Sequence, residues 1–235
     1  MNNQPINLFR GYKVILFFIL LESLTVPFVA LFNTIAIQNI VFMAIMGFAV
    51  ALFAVFILLN SANKWLIRYL QLNYDVTITS VHHLWYLGVI GGVLEMIMFM
   101  VQNELFARGH GDFSTGFWSA LISVATALLI YKLILQFCNF AVMVVSGETS
   151  YVLDIEFIDI ARLSLLMAVY EFVVCPITGW WIPYSGVMRV VVAIFSAVVG
   201  ASCGGILVVG ITKFIKCLEP KLYLNIRHQM VSPRH

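Results

Sequence analysis

Six long apolar stretches run almost end to end through this 235-residue chain, at 13–32, 39–59, 84–101, 117–145, 160–182 and 187–214. A helix rises about 1.5 Å per residue and the hydrocarbon core of a bilayer is about 30 Å thick, so roughly 20 apolar residues cross it. Each stretch meets that length or comes close. Hydrophobic residues make up 62% of the chain and charged residues 10%. A soluble domain carries about 25% charged residues, so this chain has too little charge to cover an aqueous surface. The expected fold is all-α: a polytopic integral membrane protein with six transmembrane helices in a single domain over 1–235. The first stretch is as long as the others and lacks a small-x-small cleavage pattern after Thr25, so it is expected to remain as the first span.

Lys and Arg set the expected orientation. Arg10 and Lys13 precede the first stretch, Lys64 and Arg68 follow the second, and Lys213, Lys216, Lys221, Arg227 and Arg234 follow or close the last; the intervening connections carry only Arg108. By the positive-inside rule both termini face the cytoplasm. The connection between the fourth and fifth stretches holds Glu148, Asp154, Glu156 and Asp159 against Arg162, but acidic residues count little for orientation and the parity of spans carries it inward. Residues 64–79 are too charged to cross, while Trp65, Leu66, Tyr69, Leu70 and Leu72 suit an in-plane helix at the headgroups. Trp180, Trp181 and Tyr184 form an aromatic belt in the last outward turn.

Three stretches carry one glutamate each near the middle: Glu22, Glu95 and Glu171. Each lies roughly ten residues from its cytoplasmic start, hence about 15 Å deep. A carboxylate at that depth is costly and faces the bundle interior, so it is a functional candidate by default. Pro27 and Pro176 each leave the carbonyl four residues earlier, at Ser23 and Phe172, without its helical donor and beside a glutamate. Lys132, with Gln136 and Asn139 on the same helical face, is the expected counter-charge. Two readings stand side by side: the glutamates and Lys132 hold helices together in lipid, or they form an ion or proton path. Shifting the chain by 149 positions places Glu22 on Glu171 and Pro27 on Pro176, a candidate parallel repeat in which spans one and two echo five and six.

Enzyme chemistry finds little footing. Gly109, His110, Gly111 and Asp112 spell the GxGD of aspartyl intramembrane proteases, which need a second aspartate nearby, and the first three stretches hold none. That run is expected to be a turn on the outward side. His82 and His83 are adjacent, so on a helix they diverge by about 100° and cannot chelate one metal together. HExxH, GxSxG and Walker patterns are absent from the sequence. The four cysteines show no CxxC spacing and are expected to be packing residues. The chain is thus expected not to be an enzyme and to need no cofactor or metal.

The run Ser146, Gly147, Glu148, Thr149, Ser150, Tyr151, Val152 follows a long span. After it come Ile160, Ala161, Arg162, another span, a short Trp and Pro turn, and a last span ending at Thr212 and Lys213. Over roughly 117–217 this layout resembles the C-terminal half of TraJ-like inner-membrane proteins of conjugative type IV secretion systems, which are encoded beside the coupling ATPase. It departs from them in carrying acidic residues around the loop and two extra spans in place of a larger external region. The resemblance implies a non-catalytic subunit of the bacterial inner membrane, with lipid and other complex subunits as partners, among them a coupling ATPase. Glu148 and Tyr151 are then the partner-contact candidates, in a turn built of Gly, small hydroxyls and an aromatic. The alternative is a small ion- or proton-coupled transporter or channel that uses the intramembrane glutamates. The net charge of +2 and a basic tail explained by orientation imply no direct contact with nucleic acid.

Overall fold

The computed structural model describes residues 6–7, 12–36, 78–82, 113–130, 142–146 and 149–226, together with scattered helical positions between 41 and 100. The continuous segments comprise β1 (Ile6–Asn7), α1 (Tyr12–Ala36), β2 (Ser80–His82), α2 (Phe113–Ile130), β3 (Val142–Ser146), β4 (Thr149–Asp154), α3 (Phe157–Thr178), α4 (Gly186–Phe214) and β5 (Lys221–Ile226). The protein is mostly helical. Three helical segments, Tyr12–Leu31, Phe157–Trp181 and Gly186–Phe214, are long and apolar enough to cross a membrane, and they coincide with the expected spans at 13–32, 160–182 and 187–214. Phe113–Leu129 is a shorter apolar helix. Of the expected spans at 39–59 and 84–101 only scattered positions are described, all helical, and Gly92 lies against the Phe48 ring. In the expected in-plane segment, Lys64, Ile67, Arg68 and Gln71 are helical, while Ile78 and Thr79 are extended and lead into β2.

The helices bury small and polar residues and turn their large apolar side chains outward, as a bundle solvated by lipid requires. Helix α1 exposes Leu16, Leu20, Phe28 and Leu31, and α4 exposes Val187, Val191, Phe195 and Ile206. Inside, α4 buries Ala193, Ser196, Ala197, Gly200, Ala201, Gly204 and Gly205. This stripe lets two helices approach α4 at once. Gly205 abuts Ile15 of α1, whereas a methyl at Gly204 would sit 2.7 Å from Val174 Cγ2 and 2.8 Å from the Tyr170 ring of α3. Near the sheet, Phe18, Leu166, Tyr170, Val174, Ala201 and Val208 form one cluster; at the far end, Ala30, Trp181 and Ala193 form another. Helix α4 therefore runs antiparallel to both α1 and α3. Helix α2 packs on α3.

The all-α expectation needs correction. A five-stranded antiparallel sheet, ordered β1-β5-β4-β3-β2, gathers at the end of the bundle where α1 and α3 begin and α4 finishes. At the end of the expected fourth span, 117–145, Val142–Ser146 is a strand; α2 is described as far as Ile130, and 131–141 lie outside the described residues. The register pairs Ser146 with Thr149 and Val144 with Tyr151, so β3 and β4 form an antiparallel hairpin. An apolar run rich in Val reads equally well as a span or as a buried strand, and the β-branched residues on both sides of a Gly-containing pair were the signal for the hairpin. Val144 and Tyr151 are buried on one face of it.

Gly204→Leu should lower the thermal stability of the purified protein in detergent by about 1–3 kcal/mol, because the added carbons have only the Tyr170 and Val174 side chains to enter. Gly210→Ala, where the new methyl meets nothing within 4 Å, is the control and should leave the midpoint unchanged or raised.

Candidate functional site

Two polar clusters organise the molecule, one deep in the bundle and one at the sheet. The deep cluster is centred on α3. Tyr170 is 1% exposed, its ring stacks on Phe18 of α1 at 4.3 Å, and its hydroxyl donates to Glu22 Oε1 at 3.2 Å. One residue on, Glu171 accepts a hydrogen bond at Oε2 from the Cys175 thiol at 2.9 Å, a pair four residues apart on one helical face. Both glutamates lie within electrostatic reach of that thiol. Glu22 of α1 and Glu171 of α3, placed at similar depth by the sequence, are thus both engaged by side chains of α3. Among the described residues, a phenol and a thiol donate to them. Glu95 and the expected counter-charge Lys132 lie outside the described residues, as do Gln136 and Asn139.

The two prolines leave both helices continuous. Behind Pro27, the Thr25 hydroxyl donates back to the Leu21 carbonyl at 3.1 Å. Behind Pro176, helix α2 closes over the released carbonyl: a methyl at Gly116 would sit 2.5 Å from the Phe172 oxygen, so only glycine admits the two backbones this closely. From that contact α2 turns a row of small hydroxyl residues inward, Thr115, Ser119, Ser123 and Thr126, while Phe117, Trp118 and Leu121 face outward. This inside-out amphipathy follows a helical period within a stretch that is apolar on average. Ser119 is fully buried, and its hydroxyl makes no strict hydrogen bond yet lies close enough to the Cys175 thiol to interact with it. The expectation that the cysteines serve only as packing residues meets, at Cys175, a thiol engaged with a carboxyl.

The second cluster was not singled out in the sequence, where Asp159 and Arg162 counted only as connection charges. Asp159 sits in the first turn of α3, where a carboxylate complements the helix dipole. It is fully buried and binds Arg162 Nη1 at 2.7 Å, while the backbone N–H of Lys221 donates to the same oxygen at 3.1 Å. The Tyr223 phenol lies close enough to Asp159 to interact with it. One carboxylate thereby clamps the start of α3 to β5, and through β5 to the rest of the sheet. Partial burial, followed by the carboxylates of Asp159 and Glu156, holds the Tyr223 phenol above the usual tyrosine value, against the opposing pull of Arg162.

Of the partner-contact candidates, Glu148 lies outside the described residues. Tyr151 is 5% exposed within the sheet, so its side chain is a core residue and not a surface for a partner to grip; Thr149–Val152 belong to a strand, not to a turn. At the opposite end of the bundle the aromatic belt is divided. Trp180 and Tyr184 are exposed, but Trp181 turns inward beneath Arg189, whose guanidinium lies 5.9 Å from its ring centre and whose Nε donates to the Tyr184 carbonyl at 2.7 Å. Among the described residues, no three His, Cys, Asp or Glu side chains are disposed to hold a metal ion.

Removing the Tyr170 hydroxyl should separate packing from hydrogen bonding at Glu22. Tyr170→Phe keeps the stack on Phe18, and a loss of about 0.5–1.5 kcal/mol in detergent is expected, whereas Glu22→Gln keeps an acceptor for Tyr170 and should be as stable as the parent or more so. A destabilised Glu22→Gln protein would contradict this pairing. At the sheet, the raised folded-state value of Tyr223 means that the folded chain keeps its phenolic proton to higher pH than the unfolded chain does. Stability from this source is intact below about pH 10 and is lost as pH rises through the folded-state value. Thermal midpoints on either side of that pH should fall less in Tyr223→Phe than in the parent. No family model, characterised protein or solved structure matches this chain.

Proposed function

We propose that this chain is a non-catalytic subunit of a membrane complex, with the sheet end of its bundle as the docking platform. One observation carries the reading: strands from four separate stretches of the chain, before α1, at 80–82, between α2 and α3, and after α4, are drawn into one small sheet at one end of the helices. A chain with so little extramembrane mass that still assembles it in one place offers a defined surface to a partner. Lys13, Arg162, Lys213, Lys216 and Lys221 cluster at that end and Arg189 stands at the other, which supports a cytoplasmic sheet by the positive-inside rule. The likeness of residues 117–217 to TraJ-like proteins makes a bacterial inner membrane the setting and a conjugative coupling ATPase the partner to seek first. The buried carboxyls serve, in this reading, to hold the helices that carry the platform.

The test is purification from mild detergent with partners attached. A stoichiometric partner is expected, and Glu148→Lys, in the sequence between β3 and β4, should weaken its recovery several-fold at unchanged membrane levels of the chain. Tyr151→Ala should instead lower the level of the chain itself, since it removes a buried side chain. Recovery of the chain alone or as a homo-oligomer would overturn the reading.

A further inference from the structure

A proline and a glycine open one polar corner between α2 and α3. Pro176 has no N–H, so the Phe172 carbonyl lacks its helical donor, and Gly116 of α2 lies so close that a methyl there would sit 2.5 Å from that oxygen. Thr115 adjoins Gly116, and Ser119 stands one turn further along the same face of α2. Both are fully buried, and neither hydroxyl oxygen has a hydrogen-bond partner. On α3, Glu171 adjoins Phe172, and its Oε2 accepts at 2.9 Å from the Cys175 thiol, the residue before the Pro176 ring that also meets Gly116. Among the described residues that thiol is its one hydrogen-bond partner, and no Lys or Arg pairs with it. One carboxyl, one released carbonyl and two orphaned hydroxyls therefore gather within a helical turn of the Gly116 contact.

The orphaned hydroxyls decide what joins this corner. A buried hydroxyl without a partner is costly, and Thr25 on α1 and Thr212 on α4 avoid that cost by bonding back to their own helices. Thr115 and Ser119 do not, and their lone pairs are left for a ligand. All four groups present oxygen, which is the chemistry of a hard cation. Charge sets the valence: a monovalent ion neutralises the single carboxylate, whereas a divalent ion would leave net positive charge within lipid. Transition metals favour imidazole, thiolate or several carboxylates, and among the described residues no three His, Cys, Asp or Glu side chains converge. We propose that Glu171, the Phe172 carbonyl, Thr115 and Ser119 bind a small monovalent metal cation, which ties α2 to α3. Backbone carbonyls freed from their helices coordinate sodium inside membranes, and sodium is the ion to try. The site is independent of the docking reading: a chain purified without any partner would leave it standing.

The full chain, purified in detergent, is melted in sodium chloride or choline chloride at one ionic strength and one pH. Sodium should raise the thermal midpoint by several degrees over choline and do so saturably, because an ion that binds only the folded chain stabilises it. Radioactive sodium retained by the protein gives the direct readout. Glu171→Gln should keep the parent's midpoint in choline, lose the sodium-dependent rise and retain no radioactive sodium. That replacement also alters the partner of the Cys175 thiol, so the hydroxyls of α2 supply a separate check. Thr115→Val and Ser119→Ala should each weaken sodium binding several-fold, and Thr115→Ser should keep it. Thr212→Val, which removes a buried hydroxyl bonded within α4, should leave sodium binding unchanged. A purely structural hydroxyl would shift the midpoint in choline and not the sodium affinity. Equal midpoints in the two salts, the result expected if a lysine held the carboxyl instead, would overturn the proposal. So would a sodium-dependent rise that survives in Glu171→Gln, a sodium affinity untouched by both hydroxyl replacements, or a rise given by calcium and not by sodium.

Discussion

Close approach to α3 on two sides is the constraint on which the rest of the structure depends. In lipid there is little hydrophobic drive to press helices together, so packing and internal hydrogen bonds must do it, and both need backbones near one another. Gly204 lets α4 close on the Tyr170 ring, and Gly116 lets α2 close on the Phe172 carbonyl. With α3 so held, its Tyr170 hydroxyl reaches Glu22 on α1 and its Cys175 thiol faces Ser119 on α2. A bulkier residue at either glycine would separate the very groups that satisfy one another.

The same economy operates at the sheet. Among the described strands none exceeds six residues, and β1 has two, so no strand pair would be stable alone. The sheet is held by its anchorage. The buried carboxylate of Asp159 ties the first turn of α3 to β5 through the Lys221 backbone N–H, with Arg162 as counter-charge. Three strand-bearing ends, of α1, α3 and α4, are thereby kept side by side. The bundle positions the strands and the sheet fixes the spacing of the helix ends in return.

Inside-out polarity connects the two clusters. In a soluble protein Thr115, Ser119, Ser123 and Thr126 would mark the wet face of α2; here they are the buried face, and Phe117, Trp118 and Leu121 are the exposed one. A buried hydroxyl can return a hydrogen bond to its own helix, as Thr25 does on α1 and Thr212 on α4, whereas Thr115 and Ser119 are buried without one. Carboxyls cannot, and so Glu22 and Glu171 fall where a phenol and a thiol from α3 can meet them.

The sequence by itself determined the membrane character and three of its helices. Spans depend on local length and apolarity, and 13–32, 160–182 and 187–214 carry both without competition from any other structure. It also marked Glu22 and Glu171, since a charge in an apolar stretch is conspicuous wherever it ends up. It did not determine the sheet: Val142–Ser146 is as apolar as the span it seemed to continue, and only pairing with β2 and β4 makes it a strand. Nor did it mark Asp159, which resembles any loop acid until β5, some sixty residues later, is folded back onto it. Tyr151 illustrates the same limit, because a residue in a polar loop by sequence becomes a core residue once its strand is paired. Tertiary structure decided these points because each depends on which distant segment arrives as a neighbour, and local composition carries no record of that.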